Sequence, residues 1–264
     1  MALALAFPGL CRLQVDSTVQ ISLQRYQGAW VPLKVGGTWQ ASLIPTSGPT
    51  LANTGLTAAT LYYVYAFDSG GTLTLEAVVT AHAVDADTGI RIKTGDATRT
   101  LVGMVFMGAG SPGTFIDSAT RRLCLNWFNR RALHLTNTFS ADRTTTSGTF
   151  TEINAEIQLE FLSWVDEAVL VGIGGTQQMS NAGQAVSTGI GIDSTTVSSQ
   201  SQAYTAASSP QRGPLALWLS TTLSEGRHFA TLLGAVSANT GTWETADAAA
   251  SGASKARLWA TVRG

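Results

Sequence analysis

The segment LYYVYAFDSGGTLTLEAVV, residues 61–79, constrains the fold more than any other stretch of the chain. Aromatic and β-branched residues crowd Leu61–Phe67, and such side chains pack better on a pleated strand than on a helix. Asp68-Ser69-Gly70-Gly71 then supplies residues that tolerate a tight reversal, and TLTLEAVV resumes the alternation. Two β-forming runs around an Asp/Gly turn predict an antiparallel hairpin.

The same grammar runs through the rest of the chain, and helical periodicity is nearly absent. VQISLQRY, AWVPLKV and TWQASL alternate apolar and polar residues between glycine turns at Gly28 and Gly36-Gly37. IRIKT and TRTLVGMVFM flank Gly95-Asp96 as a further strand pair, and GAGSPGTFIDS (108–118) reads as a loop. Beyond TNTFSADRTTTSG a second series begins: EINAEIQLEFLSW, AVLVGIGG, AVSTGIGID, GPLALWLSTTL, GRHFATLLGAVS and ARLWATVRG. STTVSSQSQAYTAASSPQRG, residues 194–213, reads as a long Ser/Thr-rich loop. Evenly spaced short strands predict a sandwich or jelly roll. The expected fold is all-β: an N-terminal antiparallel β domain over residues 1–118, a joint over 119–137, and a C-terminal jelly-roll-like β-sandwich over 138–264.

Composition narrows the partners. Charged residues make up only 12% of the 264 residues, while the hydrophobic share is 44% with seven Trp, nine Phe and five Tyr. Such a chain builds cores and suits a surface partly hidden in subunit contacts. A net charge of -1 argues against general nucleic-acid binding, which needs a basic excess. MALALAFPGL lacks a basic n-region and is interrupted by Pro8-Gly9. It is expected to dock on a neighbour or sheet edge, with no export signal and no membrane insertion. Cys11 and Cys124 read as buried small hydrophobes.

A search for chemistry assigns no catalytic residue. His82, His134 and His228 lie neither in HExxH nor near cysteines at zinc spacing, so no metal and no cofactor are expected. GIGGTQ (172–177) has no helix-forming segment behind it and reads as a β-turn, not a phosphate loop. No GxSxG elbow occurs. The acids Asp85/Asp87, Glu156/Glu160 and Asp166/Glu167 are explained by turns and solvent-facing strand positions, so the chain is expected to be non-enzymatic. An aromatic face near a loop can stack on a pyranose. Trp39, Trp243 and Tyr204 are considered, core packing being the alternative for each Trp, and Tyr204 and Trp243 are the glycan-contact candidates.

RRLCLNWFNRR, Arg121 to Arg131, concentrates four arginines and two aromatics in a sparsely charged chain. Its flanks carry too few basic residues for a nucleic-acid patch. A joint fits better: Trp127 and Phe128 would wedge into a domain or subunit interface, with Arg121, Arg122, Arg130 and Arg131 pairing at its rim. An internal strand is the alternative reading.

LTAATLYYVYAFDSGGTLTLEA, then IKTGDATRTLVGMVF, then DSATRRLCLNWFNRR follow in an order that resembles a family of tailed-phage virion proteins. The resemblance covers roughly residues 19–131, and LSEGRHFATLLGAVS and ASKARLWATVRG echo the domain that often follows in that family. It implies a virion structural protein, tail-fibre or head-fibre in type, and brings no catalytic residues. The expectation is a homo-oligomer, trimer or pentamer, that joins other virion proteins after assembly in the host cytoplasm. Its C-terminal domain would be displayed towards host-surface polysaccharide. Alternatives are a capsid decoration protein, a polysaccharide depolymerase and a secreted bacterial lectin.

Overall fold

The computed structural model describes residues 9–198, 200–245 and 254–264, so the first eight residues of MALALAFPGL, with their expected docking role, lie outside the described residues. The protein is all-β: the described residues form twenty-three strands and one short 3-10 turn. Among them no helix is long and apolar enough to cross a membrane. The chain divides into two compact units. Unit 1 comprises Met1–Asp117, Arg122–Ala132 and Arg263–Gly264, and unit 2 comprises Ser118–Arg121 and Leu133–Val262. The joint expected over 119–137 is therefore shared between the units, and unit 2 takes residues from 133 onwards, where 138 was expected.

Unit 1 contains β1 (Cys11–Ser17), β2 (Gln20–Arg25), β3 (Trp30–Val35), β4 (Thr38–Leu43), β5 (Thr50–Ala52) and β6 (Leu61–Ser69). It continues with β7 (Thr72–Val78), β8 (His82–Val84), β9 (Arg91–Lys93) and β10 (Asp96–Phe106). Two short strands follow, β11 (Arg121–Arg122), which straddles the division, and β12 (Cys124–Asn126). The main sheet runs β7-β6-β10-β9-β8 with β12 on β10, beside a β1-β2-β5 sheet and the β3-β4 hairpin. The predicted hairpin is present: Ser69 pairs with Thr72, and Gly70 and Gly71 both have positive φ, 62° and 88°. That turn matches the twist of its strands. Tyr62, Val64 and Ala66 enter the core with Ile21, Leu23, Val31 and Leu33, which explains why β6 reads as an almost unbroken apolar run. On its other face the Tyr65 hydroxyl donates to the Thr80 carbonyl at 2.9 Å.

Unit 2 contains β13 (Ala132–Thr138), β14 (Arg143–Thr145), β15 (Thr151–Glu152), β16 (Leu159–Ser163), β17 (Ala168–Met179) and β18 (Ala185–Ile192). It ends with β19 (Ser201–Thr205), β20 (Gln211–Thr222), β21 (Gly226–Val236), β22 (Gly241–Trp243) and β23 (Arg257–Arg263). One sheet runs β11-β16-β21-β18-β19 with β15 on β21; the other runs β13-β23-β17-β22-β14, with β20 on the second edge of β17. Take the eight principal strands β13, β16, β17, β18, β19, β20, β21 and β23 in chain order. Their sheets read first-eighth-third-sixth and second-seventh-fourth-fifth, the connectivity of a jelly roll.

Three local readings are corrected. GIGGTQ is not a turn but the middle of β17, where its glycines make room for neighbouring groups. The stretch 194–213 is not one loop: Ser201–Thr205 forms β19 and pairs with β18. EINAEIQLEFLSW is not one strand, because the Asn154 side chain accepts from the Glu156 N–H and opens a 3-10 turn over Ala155–Ile157 between β15 and β16.

Candidate functional site

β20 alternates buried Gly213, Leu215 and Leu217 with exposed Arg212, Pro214, Ala216 and Trp218. The first set faces the sandwich interior and the second faces out, because side chains change faces at every residue of a strand. Gly172 on β17 pairs directly with Trp218 on β20 and with Trp259 on β23. Residues directly opposite one another share a face, so both indoles stand on the outer face, on either side of a residue without a side chain.

The two rings are held differently. A Cβ built on Gly172 would fall inside the van der Waals envelope of the Trp259 six-membered ring, so that ring lies down on the glycine. Trp218 is 65% exposed. On the far side of Trp259 the His134 ring is near-parallel, at 27°, with centroids 6.5 Å apart. An open groove of about 710 Å³ borders this side, lined by His134, Thr136, Asn137, Lys255, Arg257 and Trp259 among others. Among the described residues no carboxylate pairs with Arg257. Asn137 is structural: its amide donates to the Glu156 and Gln158 carbonyls at 2.7 and 3.2 Å. The site is therefore a flat aromatic face with a cationic border, suited to extended ligands and not to enclosing a small one.

Neither glycan-contact candidate lies on this face as an exposed loop residue. Trp243 is fully buried, and its indole N–H donates to Thr188 Oγ1 at 2.8 Å, so no sugar can reach its ring. Tyr204 is half-buried on β19, and its ring covers Gly213 of β20. Trp39 is half-buried on the β3-β4 hairpin. Trp218 and Trp259 were missed, although parity marks both. Trp218 falls out of step with Leu215, Leu217 and Leu219, and Trp259 falls in step with Arg257 and Thr261.

The arginine-flanked segment is engaged within its own units. Arg121 pairs with Glu160 in unit 2 at 2.7 Å, and Glu160 also accepts from Arg227 at 3.0 Å. Arg122 pairs with Asp117 in unit 1 at 3.0 Å. The guanidinium groups of Arg91 and Arg130 lie over the Trp127 ring, 5.3 and 4.1 Å from its centre. Phe128 does not project as a free wedge; its ring sits on Gly9 and against the unit 1 core. The Arg131 and Gly264 backbones exchange hydrogen bonds of 2.8 and 3.0 Å. Within this segment Arg121–Arg122 and Cys124–Asn126 form short strands, and Asn126 Oδ1 accepts from the Leu13 N–H.

Asp85, Asp193 and His228 make local contacts. Asp85 accepts from the Thr88 N–H and hydroxyl at 3.1 and 2.8 Å, and Asp193 meets His228 Nδ1 at 2.6 Å. Among the described residues no group of three or more His, Cys, Asp or Glu is placed to hold a metal ion.

No protein-family model matches the sequence. No curated protein matches it. Among solved structures, the infectious bursal disease virus VP2 subviral particle matches with a TM-score of 0.35 and 8% identity, over 97% of this chain and 66% of that one. Particles derived from infectious bursal virus match with a TM-score of 0.34 and 9% identity, over 97% and 64%. An insecticidal delta-endotoxin from Bacillus thuringiensis matches with a TM-score of 0.27 and 9% identity, over 97% and 52%. The chain thus spans less than two thirds of each of these chains, and at such scores the likeness decides nothing about function.

Proposed function

We propose that this chain is a non-enzymatic structural subunit of a virus particle of the tailed-phage type that its sequence blocks resemble. It associates with copies of itself into a fibre or spike, and its jelly roll meets glycan on the host surface. The observation that carries this reading is that each unit leaves large apolar side chains in solvent. In unit 1 the cross-strand pair Trp30 and Leu43 is 43% and 54% exposed, beside a groove of about 690 Å³ that also includes Leu33, Val35 and Leu73. In unit 2 Val165 and Trp218 are exposed, and Trp218 is the larger. Apolar groups of this size gain by being covered, and the unit 1 groove suits a self-contact while the unit 2 face suits a ligand.

Jelly rolls occur in both viral shell and lectin domains, an analogy of fold that fits this reading without assigning it. Weak sugar contacts gain strength when neighbouring copies hold many sites together. Of the acids weighed for hydrolysis, Glu160 is shared by Arg121 and Arg227, and Glu156 is held by Arg143 at 2.6 Å.

Imaging of intact particles with an antibody to this chain tests the reading. The expected result is labelling of a fibre or spike at a head vertex or the tail tip. An even shell lattice assigns capsid decoration instead, and absence from particles overturns the proposal. Light scattering of the purified protein is expected to give a trimer or pentamer that Trp30→Ser weakens. Release of oligosaccharide from host polysaccharide would replace binding by depolymerisation.

A further inference from the structure

We infer that the outer face of the unit 2 jelly roll, from Trp218 across Gly172 to Trp259, binds an acidic polysaccharide. This deepens the glycan-contact reading and rests on it. Three independent features select the ligand class.

The first is shape. Trp218 and Trp259 stand on strands two spacings apart, about 10 Å, with β17 between them. Gly172, Gly174 and Ala216 keep the surface between and beside the rings low. Two indoles on a flat sheet offer successive apolar platforms to a linear sugar chain, whose pyranose faces carry C–H groups that an electron-rich ring attracts.

The second is charge. Arg257 and Lys255 line the groove at the Trp259 end, and among the described residues no acidic one does, in a chain whose net charge is -1. A local cationic border on a nearly neutral protein fits an anionic ligand. Arg257 is suited to hold a carboxylate through its planar fork of donors.

The third is charge density. A nucleic acid presents a phosphate at every nucleotide and calls for a row of cations along its path. Here Lys255 and Arg257 sit at the Trp259 end and Arg212, farther along β20, pairs with Glu244, while Trp218 is flanked on its own strand face by Ala216 and Ser220. That spacing fits a carboxylate on some sugar rings with neutral rings between.

The test uses the purified full chain on an array of uronate and sialate oligosaccharides with their neutral counterparts, followed by calorimetry on the best binder. Oligo(dT) is the control. Acidic sugars are expected to bind and neutral ones to bind weakly. Trp218→Ala is expected to cost about tenfold in affinity or more, with the thermal midpoint unchanged because that side chain is 65% exposed. Arg257→Gln is expected to remove the preference for the acidic form while leaving neutral binding in place. Gly172→Ala, which lifts the Trp259 ring without touching ligand, should weaken binding as Trp259→Ala does.

Equal binding of acidic and neutral sugars overturns the acidic class and leaves glycan contact standing. Full binding in Trp218→Ala and Trp259→Ala overturns this face as the site. So does an empty array, and if imaging still places the chain on the outside of particles, the structural role survives that loss. Tighter binding of oligo(dT) overturns the proposal in favour of nucleic acid. A fall in oligomeric mass on Trp218→Ala overturns it in favour of a second copy.

Discussion

The indole N–H of Trp243 on β22 donates to the hydroxyl of Thr188 on β18 at 2.8 Å, and that hydroxyl donates in turn to Gln177 Oε1 at 2.7 Å. The three groups form a buried polar chain between the two sheets of the jelly roll, with the Trp243 ring lying on Gly234 of β21. Trp243→Ala is expected to destabilise unit 2 by about 3–5 kcal/mol through lost packing and an unfilled cavity. Trp243→Phe should cost about 1–3 kcal/mol, much of it from the lost donor to Thr188 Oγ1 and the smaller ring. Chemical denaturation followed by far-ultraviolet circular dichroism measures both, and a Phe variant as damaging as the Ala variant would contradict the packing argument.

Gly172 and Gly174 sit two residues apart on the same face of β17, yet differ in what a methyl group would meet. At Gly172 it would strike the Trp259 ring; at Gly174 the nearest atom is the Leu215 carbonyl oxygen at 3.9 Å. Gly172→Ala is expected to cost about 1–3 kcal/mol by overpacking. Gly174→Ala should stay within about 0.5 kcal/mol of the parent. Thermal unfolding of the two variants side by side makes the comparison, and equal midpoints count against the Trp259 placement.

Cys11 and Cys124 are free and buried in the core of unit 1. Burial pushes the Cys11 thiol up to about 12 and raises Cys124 further from its ordinary value, with the nearby Asp117 charge adding to the latter. The thiolate is the reactive species, so both should resist iodoacetamide at pH 8 in the native protein and react once it is denatured. Intact-mass measurement should find neither label before denaturant and both after it. Rapid native labelling of either cysteine would show that its surroundings are open.

Glu156 accepts from the Ser140 hydroxyl at 2.7 Å and pairs with Arg143, and these contacts lower its carboxyl below the ordinary 4.5. A carboxyl lowered by folding contributes stability that is fully present above its unfolded value and is lost as pH falls through the folded one. Glu156→Gln should therefore be slightly less stable than the parent at neutral pH. The gap should close as pH drops below 4.5. The ion pair is partly exposed, so the neutral-pH difference should also shrink in salt. A gap that persists unchanged at low pH rules out this ion pair as its source.

Much of the architecture is local and therefore readable. The Asp68–Gly71 turn, the aromatic run of β6, and the alternation in β20 and β23 state their conformation within a few residues. Local chemistry also explains where reading stopped. GIGGTQ looks like a turn because glycine tolerates turns, but β17 uses Gly172 to admit an indole from β23. Tyr204 looks like a loop residue among serines and threonines, but those residues pair with β18 as readily as any others once a strand edge is offered.

The sequence by itself determined that this chain is built of strands and which side chains share each strand's two faces, because a period of two is written residue by residue. Only the tertiary structure decided that Trp243 turns inward, and that Trp218 and Trp259 flank Gly172. Those outcomes depend on which distant segments become neighbours. Pairing of β17 with β20 and β23 joins residues far apart in the chain, and it is settled by the burial of whole sheet faces, which no short window of residues contains.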